Sequence, residues 1–236
     1  HHLENWMLTN KKMIREFFEV LFISIENSIY NLIQKVKEFF LFFPDMRFFI
    51  LDMFLYFTYL FSSPFRLRKS EGHDLPVAFD ELTYGETYYF TARDILKKVN
   101  FTSDDLFIDV GSGRGKMVFF VSMYFHAKAT GIDILPTFVN RSNYLAEKLN
   151  LKDTRFILSD GRNFDFSSGT VIYLAGTCFS DSSVSLLLKS LRSAPEGAKI
   201  ITLSYPLKAD YLKVISKEIK YFSWGKNTVF IHEKIN

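Results

Sequence analysis

Residues 106–116 read LFIDVGSGRGK, and this stretch limits the fold more tightly than any other in the chain. An apolar run of strand character ends in Asp109, and glycines then occupy the alternate positions Gly111, Gly113 and Gly115. A buried strand that runs into a glycine turn and opens a helix builds a ligand pocket at the carboxyl edge of a parallel sheet. The glycines let the backbone approach that ligand where any side chain would collide.

The spacing narrows the ligand. A dinucleotide loop, G-x-G-x-x-G, would place its third glycine at Lys116, but here it stands one residue earlier, at Gly115. The form D-x-G-x-G-x-G resembles the first motif of class I S-adenosyl-L-methionine-dependent methyltransferases. That resemblance implies a cofactor pocket lined by Asp109, Gly111, Ser112, Gly113 and Gly115. A helix over about 116–126 and a short strand over 129–132 lead to Asp133. An acid about 20 residues beyond the glycine turn can accept from both ribose hydroxyls. After a third strand stands Asp160-Gly161. Taken alone it is an Asp-Gly turn; in the class I enzymes an acid here accepts from the adenine amine.

Strands are expected at 106–110, 129–132, 155–158, 170–174 and 198–203, with helices at 137–149 and 183–192 between them. A last pair, 221–224 and 228–232, is joined across Gly225-Lys226-Asn227. The alternation predicts an α/β, doubly wound, mostly parallel sheet. Seven strands with one antiparallel to the rest is the Rossmann-like methyltransferase variant that the resemblance implies.

The 27 phenylalanines divide the chain, about half of them preceding Arg66. Apolar residues recur at Ile14, Phe17, Leu21, Ile25, Ile29, Leu32, Val36 and Phe40, the spacing of one long amphipathic helix. Pro44 breaks it, Asp45 can cap the next helix, and 46–61 is almost wholly apolar. Arg47 and Asp52 leave a clean run too short for a membrane span. This second helix can pack under the following domain or in a dimer, or lie on a membrane with Arg66, Arg68 and Lys69 toward anionic lipid. The expected division is a helical region, 1–69, and a methyltransferase domain, 70–236. His1, His2, Leu3 and Glu4 read as an affinity-tag remnant. Residues 70–82 read as a polar connector and 84–99 as a helix.

Upstream of the glycine turn stands Thr83-Tyr84-Gly85-Glu86-Thr87. The sequence YGET, an amphipathic helix and then DDLFIDVGSGRGK resemble the histone-lysine methyltransferases of the disruptor-of-telomeric-silencing type. The resemblance covers about half of the chain. It implies that Tyr84 to Thr87 close over the cofactor, with Glu86 at its methionine amine. It also sets Ser204-Tyr205-Pro206 at a substrate channel. One departure stands out: that family has Asn-Asn-Phe after the fourth strand, whereas Ala175-Gly176-Thr177-Cys178-Phe179 stands here. The residues expected around the transferred methyl group are Tyr84, Thr177, Phe179 and Tyr205.

A net charge of +3 is too small to argue for nucleic acid. A single cysteine excludes a disulfide framework, and no Cys/His spacing suits a metal. The expected activity is methyl transfer to a protein lysine amine. A lipid or hydrophobic small molecule is the alternative acceptor, and a non-catalytic cofactor-binding or interaction module the alternative class. The expected setting is the cytoplasm, peripheral at the inner membrane face, with a membrane surface or a second copy met through the N-terminal helices.

Overall fold

The structure is a computed structural model that describes residues 2–42, 45–60, 63–71, 75, 85–175 and 179–235. Five strands line up in parallel: β1 (Leu106–Val110), β2 (Lys128–Asp133), β3 (Thr154–Leu158), β4 (Val171–Leu174) and β5 (Lys199–Leu203). A hairpin of β6 (Leu212–Phe222) and β7 (Gly225–Lys234) completes a sheet of order β3-β2-β1-β4-β5-β7-β6. β7 runs antiparallel to β5. The strand order reverses between β1 and β4, and such a switch point opens a crevice beyond the carboxyl ends of the strands.

Alternation along β1 explains the layers. Phe107 points into a core shared with α4 (Tyr89–Lys98), α5 (Lys116–Phe125) and α6 (Pro136–Lys148). Ile108 and Val110 point to the opposite face, against Leu187 and Leu191 of α7 (Asp181–Leu191). Both faces of β1 are therefore buried, as a central parallel strand requires.

Ahead of the sheet lie α1 (His2–Phe42), α2 (Met46–Tyr59) and α3 (Pro64–Glu71). Asp45 caps α2, its carboxylate accepting from the Arg47 amide at 3.1 Å. Phe48, Leu51, Leu55 and Tyr59 form the buried stripe of α2. Phe48 meets Phe120 and Tyr124 of α5, and Tyr59 meets Phe138 of α6. Polar contacts fix α1. The Tyr88 hydroxyl donates to Asn31 at 2.5 Å, and Glu38 accepts from the Tyr89 amide and from Lys116 Nζ.

Three expectations are corrected. The fourth helix begins at Tyr89, because Thr87 is drawn into an extended bridge with Phe222. A helix, α3, stands where a basic cluster leads into a connector. Pro64 opens it, and Glu71 at its end accepts from the Thr137 amide at the start of α6. Within the expected connector, residues 72–74 and 76–82 lie outside the described residues. The final turn falls at Ser223-Trp224, with Phe222 paired to Gly225, and β6 extends back to Leu212.

Glu38 and Lys116 are both nearly enclosed, at 3.1 Å. Removing one partner of such a pair leaves the other charge buried and uncompensated. Glu38→Ala should therefore destabilise the protein by about 3 kcal/mol, read as a lower denaturant midpoint.

Candidate active site

The glycine turn sits at the switch point. Gly111, Gly113 and Gly115 all take positive φ, at 77°, 52° and 80°. A side chain at Gly111 would meet open space, so the requirement there is conformational. Gly115 carries both constraints, because its Cβ would stand 2.5 Å from the Phe156 ring. The turn is anchored by the Gly111 and Ser112 amides, which donate to the Ile132 carbonyl at 2.8 and 3.0 Å. Ser112 Oγ is buried and has no hydrogen-bond partner among the described residues.

Asp133 ties the two loops together. One carboxylate oxygen accepts from the Gly113 amide at 2.7 Å and the other from the Leu135 amide at 2.9 Å. Burial raises its pKa to about 6 in spite of those two donors. Asp109 is also buried, and burial together with the Asp133 charge raises its pKa to about 8. Both causes favour the neutral form of Asp109 at neutral pH. Each carboxylate of this pair has acceptor capacity left over.

The loop ahead of α4 closes against the turn from the other side. Glu86 pairs with Arg114, whose Nε stands 2.8 Å from Oε1. The hairpin turn fixes the loop backbone: the Glu86 amide donates to Ser223 Oγ at 2.8 Å, and the Ser223 amide donates to the Glu86 carbonyl at 3.0 Å. Thr87 Oγ1 meets the Tyr173 hydroxyl of β4 at 2.8 Å. Gly85 lies flat on Trp224, and an added Cβ would come within 2.2 Å of that ring. Of the expected site residues, Tyr84 and Thr177 lie outside the described residues, as do Gly176 and Cys178.

The remaining expected residues are spread more widely. Asp160 follows β3, and its carboxylate is taken up by Arg162, with Nε at 2.9 Å and Nη2 at 2.6 Å. Burial would raise its pKa, but the Arg162 contacts outweigh that and hold it below the usual carboxylate range. Gly161 packs against Val110, with 2.4 Å left for any Cβ. Phe179 packs against the core face that carries Ile108 and Val110. Tyr205 is exposed, beside Ser204, a non-glycine residue at φ 67°. Such backbone strain is held here by the Ser204 amide on the Thr228 carbonyl at 2.8 Å.

Sequence reasoning left Arg162, Tyr173 and Ser223 without a role at the site, and left Arg114 open between lining the cofactor cleft and a solvated helix start. Arg114 and Arg162 had a signal, since each stands within two residues of an expected cofactor residue. Ser223 had none, because its partner lies far away in sequence.

A family described as "Histone methylation protein DOT1" matches residues 76–223. The chain belongs to the DOT1 family. Solved structures agree on the fold. An RNA methyltransferase from Salinibacter ruber in complex with S-adenosyl-L-homocysteine is similar at 20% identity and TM-score 0.54, over 64% of this chain and 94% of that one. TrmN from Thermus thermophilus is similar at 14% identity and TM-score 0.56, over 63% of this chain and 49% of that one. The cyclase SpnF is similar at 10% identity and TM-score 0.55, over 63% of this chain and 82% of that one. No curated protein matches the sequence.

The DOT1 chain described here is an S-adenosylmethionine-dependent methyltransferase. Its site fits that cofactor on its own geometry. The turn is open at Gly111, a buried hydroxyl at Ser112 lacks a partner among the described residues, and two acids stand near the ends of adjacent strands.

Two outcomes follow. Asp133→Ala should lower affinity for S-adenosylhomocysteine by about a hundredfold, the loss of two hydrogen bonds to a charged group, read by calorimetry. Asp109 has a pKa raised from 3.8 to about 8, so the stability it contributes is fully present below the lower value and is lost progressively as pH rises to the upper one. Without cofactor, the melting temperature of wild type should fall relative to Asp109→Asn over that interval.

Proposed function

We propose that this DOT1 chain transfers a methyl group from S-adenosylmethionine to the ε-amine of a protein lysine. The observation that carries this reading is the Gly85–Thr87 loop held over the glycine turn by the Ser223-Trp224 hairpin and the Glu86–Arg114 pair. A family whose printed description is histone methylation supports a protein acceptor.

When bound, the cofactor supplies a methyl group on a positively charged sulfur, an electrophile that needs no activating base. The protein's part is orientation and exclusion of water. Asp133 would accept from the ribose hydroxyls, and Asp160 with Gly161 would seat the adenine. Glu86 and Arg114 form a matched carboxylate and guanidinium, suited to the amine and carboxylate of an amino-acid end. Asp109 would meet the cationic end and ionise there.

The acceptor lysine must arrive neutral, which an apolar surround favours. Of the residues expected to wall its path, Tyr205 is exposed to an incoming side chain, whereas Phe179 packs against the core. Ala175 starts the segment that replaces the family's asparagine run, so a backbone carbonyl or the Thr177 hydroxyl would stand in for the amide. This replacement points to a protein acceptor other than a histone.

A second reading, transfer to a lipid or hydrophobic small molecule, is favoured by the exposed apolar side chains of α1 and α2. Methyl-labelled cofactor distinguishes the two. With cell lysate as acceptor, label should enter precipitated protein and be recovered as methyllysine after hydrolysis. Glu86→Ala should reduce it at least tenfold, the loss of one charge-assisted contact of about 1.5 kcal/mol or more. Label only in the organic phase would establish the second reading instead.

A further inference from the structure

The helices of the N-terminal arm are turned the opposite way from ordinary amphipathic helices. Asn31 and Glu38 of α1 face the sheet domain, bonded to Tyr88, Tyr89 and Lys116. Its apolar residues Ile29, Leu32 and Val36 lie roughly 100–180° round the helix from them and are exposed. Leu32 keeps 63% of its surface. α2 buries one stripe, and the face roughly 150° away is also apolar, with Phe49, Met53 and Phe57 exposed. Phe57 keeps 61% of its surface. A helix that is apolar all round must be covered on both sides, and an uncovered patch of this kind marks an interaction site.

In the later part of the arm the acids are bonded, while several cations are left exposed. Glu38 is turned inward to Lys116, Asp52 accepts from the Tyr89 hydroxyl at 2.6 Å, and Glu71 is bonded to Thr137. Asp45 is paired with Arg47. Lys35, Arg66 and Lys69 stay exposed. Earlier in α1, Glu16, Glu19 and Glu26 lie across the helix from Leu21, Ile25 and Leu32, where they would stay in water if the apolar side were buried.

We propose that this outward face of α1 and α2 docks the enzyme on the surface of a lipid bilayer with anionic headgroups. The apolar side chains would sit at the headgroup–acyl boundary and the exposed cations against the headgroups. Among the described residues no helix is long and apolar enough to cross a membrane, and the docking proposed needs only one apolar face laid along the bilayer. A second copy of the chain is the poorer occupant. A two-fold contact would bury the same apolar patch but offers Arg66 and Lys69 no dense anionic surface, whereas anionic lipid does. The arm also touches the catalytic end, since Lys116 of the Glu38 pair directly follows the glycine turn. The docked surface would therefore sit close to the cofactor loop.

The test is flotation of the full chain with vesicles of phosphatidylcholine alone and of phosphatidylcholine with phosphatidylglycerol. The chain should float with the anionic vesicles and remain behind with the neutral ones. Lys69→Gln should weaken binding about fivefold, the effect of one basic residue near such a surface. The double variant Leu32→Glu, Phe57→Glu should abolish it while affinity for S-adenosylhomocysteine is unchanged, which separates loss of docking from loss of folding or of the methyltransferase site. Protein that floats with neither composition, or equally with both, overturns the proposal. So does a dimer in sedimentation equilibrium that the double variant dissociates.

Discussion

The carboxylate of Asp133 is the joint on which the site is assembled. It ends β2, reaches one way to the Gly113 amide and the other way to the Leu135 amide. Those two bonds fix the glycine turn relative to the start of α6 before any ligand arrives. An acid buried this deeply is disfavoured as an anion, and its charge in turn pushes the pKa of the neighbouring Asp109 up. A cationic ligand offering hydroxyl donors relieves both difficulties together.

Around that joint the structure stacks a second set of ties, all of them distant in sequence. The Ser223-Trp224 turn holds Gly85 and Glu86, and Tyr173 holds Thr87. The arm adds a third layer through Glu38, Asn31 and Glu71, which meet α5, the start of α4 and the start of α6. Aromatic contacts reinforce it, with the Arg114 guanidinium 5.5 Å and the Arg141 guanidinium 4.9 Å from the centre of the Tyr59 ring. Anything that moves the arm thus moves groups that border the cofactor loop.

Much of the sheet was legible because its central strands, β1, β2, β4 and β5, are buried on both faces and bounded by turn residues. β1, its glycine turn and the acid after β2 follow directly from residues 106–133. β6 was not legible over its full length. It is an edge strand whose alternation is broken by a bulge between Val214 and Ser216, which shifts the apolar residues out of phase. α3 carries no apolar period, and its end is tied down by a contact with Thr137. The aromatic wall was read from type and position in the chain, yet Phe179 turns to the core and Tyr205 to solvent.

By itself the sequence determined the α/β alternation, the position of the glycine turn and the acids that follow successive strands. These are set by local rules: burial pattern, backbone freedom and the fixed spacing of a strand–turn–helix unit. Only the tertiary structure decided which partner each charged group takes. Glu86 goes to Arg114, Asp160 to Arg162 and Glu38 to Lys116. It also decided that the long first helix turns polar residues inward. A hydrophobic period tells which residues share a face, but what that face meets depends on buried charges elsewhere. Lys116 has to be neutralised from outside its own helix, and Glu38 supplies the charge that does so.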